Sequence, residues 1–179
     1  MRKIKIISVV MLGIIAFTAC KSSKDKTVEK ITVLEKELLS ATVKIDSTKA
    51  QQLVDLYISY ADNFKTDSVS PVYLLKAADI SMNIMKHAQS ISLLDRIMLD
   101  YPNFQKAPDC LFLKAFIYEN QTKDLEKAEK TYNEFLQKYP IHELAPSAKA
   151  AVDNLGVPIE TLIKSFEEKN KTAKDNVKV

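Results

Sequence analysis

Apolar residues recur at three- and four-residue intervals through most of the chain, and prolines and aromatic residues cut the recurrence into segments. From about 48 to 64, Leu53, Leu56, Tyr57, Tyr60 and Phe64 share one helix face, which Asp46 or Ser47 is placed to cap. A second helix is expected with Ser70 as its cap and Pro71 as its first residue, bringing Leu74, Ala77, Ala78, Ser81 and Ile84 onto one stripe. A third, from about 89 to 100, carries Leu93, Leu94, Ile97 and Met98 towards Tyr101. From Pro108 the stripe restarts with Leu111, Ala115 and Tyr118, and from the cap Asp124 it continues through Ala128, Tyr132, Phe135 and Leu136 to Tyr139. Pro146 opens a helix with Ala148, Ala151, Val152 and Leu155 that Gly156 stops, and Pro158 opens a last one with Leu162, Ile163 and Phe166.

The punctuation is a repeat. Tyr101 to Cys110 reads YPNFQKAPDC, and YPIHELAPSA follows 38 positions later; Phe64, Ser70 and Pro71 form a weaker copy 37 positions earlier. Upstream, Val28, Ile31, Leu34 or Glu35, and Leu38 have the spacing of a short helix that caps the repeats, with a short coiled-coil contact as the alternative. Residues 21–30 contain one apolar side chain and are expected to form a flexible tether, and the polar end KNKTAKDNVKV to fray.

Composition narrows the class. Gly13 and Gly156 are the two glycines of the chain, too few for a β-rich fold or a phosphate-cradling loop. No proline interrupts a helical pattern, since Pro102 and Pro140 fall just after helices and the others open them. The expected fold is all-α. The net charge of +3 belongs to Arg2, Lys3 and Lys5, so beyond residue 19 there are 23 basic and 23 acidic side chains. That balance removes the basic footprint on which nucleic-acid binding rests.

The N-terminus carries an address. Met1 to Lys5 is basic, the apolar run Ile6–Phe17 is too short for an ordinary membrane span, and Phe17-Thr18-Ala19-Cys20 follows. This order resembles a bacterial lipoprotein signal, which implies that residues 1–19 are removed and that Cys20 is lipidated. Each buried methylene of an acyl chain contributes about 0.8 kcal/mol, so such a chain is anchored to a membrane rather than threaded through it. Lys21 after Cys20 implies outer-membrane sorting by the enteric rule. Cys110 has no partner for an intramolecular disulfide and is expected to be a buried, inert thiol.

Helix pairs with this period resemble tetratricopeptide (TPR) repeats. Ala78 and Ala115 match the small position of the first helix, Tyr118 its aromatic, Ala128 and Tyr132 the alanine and aromatic of the second, and Pro102 and Pro140 the terminal proline. Leu74 and Leu111 replace the usual tryptophan, Ser90 stands at an alanine position, and the period exceeds the usual length of about 34 residues. The longer form is similar to TPR proteins of the bacterial envelope, such as the TPR lipoprotein of the outer-membrane β-barrel assembly machine and the periplasmic TPR factor of the Tol-Pal system.

The resemblance implies a right-handed α-solenoid of antiparallel helix pairs over residues 31–169, between a lipidated tether at 20–30 and a polar tail at 170–179. It implies a non-catalytic adaptor facing the periplasm from the outer membrane and binding another envelope protein; the alternative is a lipoprotein that captures a glycan, peptidoglycan fragment or nutrient. The concave face is expected to present Leu75, Asp79 and Met82 from one first helix and Phe112, Phe116 and Glu119 from the next, with Phe112 and Phe116 as an apolar groove. The competing expectation is that the last helix covers them through Leu162 and Phe166. His87 and His142 lie on different repeats without metal-ligand spacing, no nucleophile-base set is suggested, and no cofactor, metal or catalytic residue is expected.

Overall fold

The computed structural model describes residues 22–40, 46–158, 160–165 and 167–168; the signal at 1–19, Cys20, Phe166 and the tail at 170–179 lie outside the described residues. The described chain is all-helical. Seven helices run α1 (Ser23–Ser40), α2 (Ser47–Asn63), α3 (Ser70–Asn83), α4 (His87–Asp100), α5 (Ala107–Asn120), α6 (Leu125–Lys138) and α7 (Ala145–Asn154), with further helical residues at 160–165 and 167–168. Each helix packs on the next in sequence, as a TPR-like α-solenoid requires.

The joints between pairs are one structure made three times. Phe64, Tyr101 and Tyr139 end their helices with φ near −130° (−129°, −132° and −132°), and each N–H bonds the carbonyl four residues back. Their own carbonyls accept from Asp67, Phe104 and His142 at 2.9, 2.9 and 3.1 Å. The carbonyls of those residues accept in turn from Ser70, Ala107 and Ala145 at 3.0, 2.8 and 2.8 Å. The weak first copy in sequence is therefore a full copy in backbone. Proline follows directly in each, where a missing N–H costs nothing.

Local chemistry explains most helix ends. Asp46 Oδ1 accepts from the N–H groups of Thr48 and Lys49 at 2.9 and 3.1 Å, and Asp124 Oδ1 from that of Lys127 at 3.1 Å, as the sequence suggested. Ser70 departs from expectation. It is the first residue of α3 and no cap; its buried Oγ donates back across the joint to the Phe64 carbonyl at 2.6 Å. Gly156, at φ 75°, follows the end of α7 as expected. Within the pairs, the turns place Met85 (φ 63°) and Lys123 (φ 57°), 38 positions apart, in the left-handed region without a glycine.

The capping helix begins earlier than its apolar pattern: residues 23–30, expected to be tether, are helical. The cause is a reciprocal cap, since Ser22 Oγ accepts from the Asp25 N–H at 3.1 Å while the Asp25 carboxylate accepts from the Ser22 N–H at 3.2 Å. Lys24 then pairs with Asp67 in the first joint, and Ile31 is buried on α2.

The core has two clusters that meet at α5. Cys110 and Ile117 belong to the first, built from α1 to α5, and Leu111 and Ala115 to the second, built from α5 to α7. A helix packed on both sides must be apolar nearly all round. The small positions Ala78, Ala115 and Ala128 are fully buried, and so is Ser90 in the place of Ala128 one copy earlier. Cys110 is fully buried and its thiol is pushed up to about 12 by desolvation, with Asp109 and Asp79 adding to it, so it is a packing group and not a nucleophile.

Candidate functional site

The face shared by the first helices of the pairs carries a hollow between α1 and α3 with α2 as its floor. Its volume is about 430 Å³, within the range of about 300–1,000 Å³ usual for ligand pockets. Leu38, Leu53, Ile80 and Ile84 make the lining mainly apolar, and polar groups are confined to the edge.

One end of that edge is locked. Lys76 of α3 reaches across to Glu35 of α1 at 2.7 Å, and the Tyr57 hydroxyl donates to the same carboxylate from below. Burial acts to raise the Glu35 pKa, but hydrogen bonds from Lys76 and Tyr57 outweigh it and hold the carboxyl below its ordinary range. Burial, then the Glu35 contact, push the Tyr57 phenol far up, so it stays a neutral donor. Tyr73 stacks on Tyr57 with centroids 5.0 Å apart, and the Lys76 ammonium lies 5.7 and 5.8 Å from the two ring centres.

The other end is unlocked. Asp79 and Asn83, both exposed on the α3 lip, make no side-chain hydrogen bond or ion pair among the described residues. The curved surface crowds the Asp79 carboxyl and raises its pKa, against a smaller opposing pull from Lys106. Water still reaches it, which keeps the effect below that of full burial.

The expected face residues divide in three ways. Asp79 lines the hollow, and Phe116 is exposed at 37% on α5, 37 positions on from Asp79. Leu75 and Met82 are partly buried against the first core, and Phe112 lies edge-on to Tyr132 and Phe135 at 5.5 and 5.7 Å, so these three serve packing. Glu119 is engaged as acceptor for the buried Tyr132 hydroxyl at 2.8 Å. Phe112 is thus drawn partly into the second core beside Leu111 and Ala115, while Phe116, one turn on, stays exposed.

Sequence reasoning missed Glu35, Tyr57, Lys76 and Asn83. Their signal was present in Lys76, Ile80, Asn83 and Ile84, a second stripe on α3, and in the ambiguity between Leu34 and Glu35. Both are used, Leu34 towards the core and Glu35 at the edge.

His142 serves a joint. His142 Nδ1 accepts from the Leu144 N–H at 3.2 Å, as Asp67 Oδ1 accepts from Val69 at 2.9 Å in the equivalent joint. Among the described residues no cluster of His, Cys, Asp or Glu could hold a metal ion.

Residues 109–140, which take in nearly all of α5, all of α6 and the closing Pro140, match the family model of the tetratricopeptide repeat. The chain thus carries a TPR repeat within an all-helical solenoid. Repeats of this kind generally bind protein partners, and such folds are typically non-catalytic scaffolds. No curated protein matches the chain.

Proposed function

We propose that the protein is a non-catalytic, lipid-anchored adaptor of the bacterial cell envelope that holds another envelope protein on the face formed by α1, α3 and α5. The observation that carries this reading is the mainly apolar hollow between α1 and α3, in a chain whose TPR repeat presents the exposed ring of Phe116 at the position equivalent to Asp79. The anchor rests on the basic start, the short apolar run and Phe17-Thr18-Ala19-Cys20. Placement at the outer membrane rests on Lys21, and the periplasmic side on the resemblance to envelope TPR proteins. A role in outer-membrane protein assembly or envelope maintenance follows from the same resemblance. Capture of a glycan fits less well, because a glycan needs several free, convergent polar groups and here Glu35, Tyr57 and Lys76 are engaged with one another, leaving Asp79 and Asn83.

Two variants test the reading. Phe116→Ala truncates a ring that is 37% exposed and is expected to cost about 1 kcal/mol, leaving the fold intact while weakening partner co-purification. Phe112→Ala removes a ring packed on Tyr132 and Phe135 and is expected to cost about 3 kcal/mol. Unchanged co-purification by Phe116→Ala, Asp79→Lys and their double variant would refute binding at this face. The anchor is checked separately: Cys20→Ala is expected to leave the membrane fraction and lose the N-terminal mass of the lipid.

A further inference from the structure

We propose that the hollow between α1 and α3 receives a segment of the protein partner that carries an aliphatic anchor with a lysine or arginine about one helical turn away. The inference rests on the adaptor reading and specifies the chemistry of the docked segment.

The lining dictates the anchor. Leu38 from α1, Leu53 from α2 and Ile80 and Ile84 from α3 surround the space, and burying apolar surface there yields about 25 cal/mol per Å². The lip dictates the charge. Of the ionisable groups that line the hollow, Glu35 and Lys76 neutralise each other and Tyr57 stays neutral, which leaves Asp79. A carboxylate crowded by the hollow gains from a cation more than a freely solvated one does, because partial exclusion of water strengthens the attraction. Lys106, the cation already acting on it, does so without an ion pair, so the position beside the carboxylate is free for a partner's side chain.

Other occupants fit worse. An acidic segment would place like charges together, and a fatty acid would set its carboxylate against Asp79. Asn83, exposed on the same lip and without a side-chain hydrogen bond among the described residues, stands at the rim beside Asp79.

The test uses the full-length protein in its native cells, with the photo-crosslinking residue p-benzoylphenylalanine at position 83 and, separately, at position 116. The expected result is a protein adduct from position 83 whose crosslinked segment contains an aliphatic residue with Lys or Arg within four positions. Asp79→Lys is expected to cut that adduct at least tenfold, and reversing the partner's basic residue to Glu to restore it. An adduct from position 83 to a lipid or to an acidic segment overturns the inference, as does full adduct yield in Asp79→Lys. Protein adducts from position 116 alone overturn it too, while leaving the adaptor reading in place. No protein adduct from either position removes both.

Discussion

Two serines stand where other copies of the repeat have alanine, and the same substitution is expected to act on them with opposite sign. Ser70, the counterpart of Ala107 and Ala145, is fully buried and donates to the Phe64 carbonyl at 2.6 Å. That carbonyl also accepts from the Asp67 N–H at 2.9 Å. Ser70→Ala therefore leaves no orphaned group and costs the net worth of one hydrogen bond, about 1 kcal/mol, rather than a full desolvation penalty. Ser90, the counterpart of Ala128, is equally buried, but its Oγ has no partner among the described residues. Ser90→Ala removes an unsatisfied hydroxyl and fits alanine's place in the repeat, so a gain of about 1 kcal/mol is expected, helped by a few tenths from helix propensity. For a chain of this size each change moves the melting temperature by about 2–4 °C. Urea unfolding followed by far-UV circular dichroism resolves both. The same sign for both variants refutes the reasoning, and a neutral Ser90→Ala would mean that the hydroxyl turns to the Lys86 carbonyl four residues back.

The turns inside the helix pairs offer a second measurement. Met85 (70% exposed) and Lys123 adopt positive φ; relief of about 1–2 kcal/mol of left-handed strain, less the greater unfolded-state entropy of glycine, makes Met85→Gly and Lys123→Gly each stabilising by about 0.5–1 kcal/mol, additively, by thermal unfolding. Asp67 predicts an acid limb. Its carboxyl is held down to about 2 by Lys24, the Val69 N–H and the Tyr60 hydroxyl. A depressed folded-state value means the contribution is complete above the unfolded value of about 4 and disappears as pH falls through about 2. Unfolding by urea at intervals from pH 5 to 2 should therefore show a shallower loss of stability in Asp67→Asn than in wild type.

What could be read from the chain alone was whatever its local chemistry decides. Asp46 and Asp124 cap where their position before an apolar stripe says they should, and the aromatic-proline spacing marks joints that are superimposable in hydrogen bonding. The start of α1 was legible in principle, since Ser22 and Asp25 have capping-box spacing, but the stretch holds one apolar residue and the periodicity is silent there. Part of what holds it, the Lys24 to Asp67 pair, spans 43 positions and has no local signature. Phe112 could not be placed by position in its helix, because it flanks the stripe of Leu111 and Ala115 and its long ring reaches Tyr132 and Phe135 of α6. The hollow needs three helices at once, so its residues are distributed over α1, α2 and α3 with no common motif.

Within this one chain, the copies themselves separate scaffold from surface. At an offset of 37, Pro71, Leu74, Ala78 and Asn83 reappear as Pro108, Leu111, Ala115 and Asn120, and the leucines and alanines of both copies are buried. Lys76, Asp79 and Met82 become Leu113, Phe116 and Glu119. The structure accounts for two of these exchanges through packing: Leu113 joins the first core where Lys76 spans to Glu35, and Glu119 accepts from Tyr132 where Met82 packs. The exchange of Asp79 for Phe116 changes neither core, since both side chains are exposed. A partner lying along the proposed face therefore meets a carboxylate beside an apolar hollow at α3 and a phenyl ring at α5. Because that order cannot be reversed by turning the segment around, the docked chain has one direction. A partner whose basic residue and second apolar residue are exchanged in sequence should bind at least tenfold more weakly than its native order.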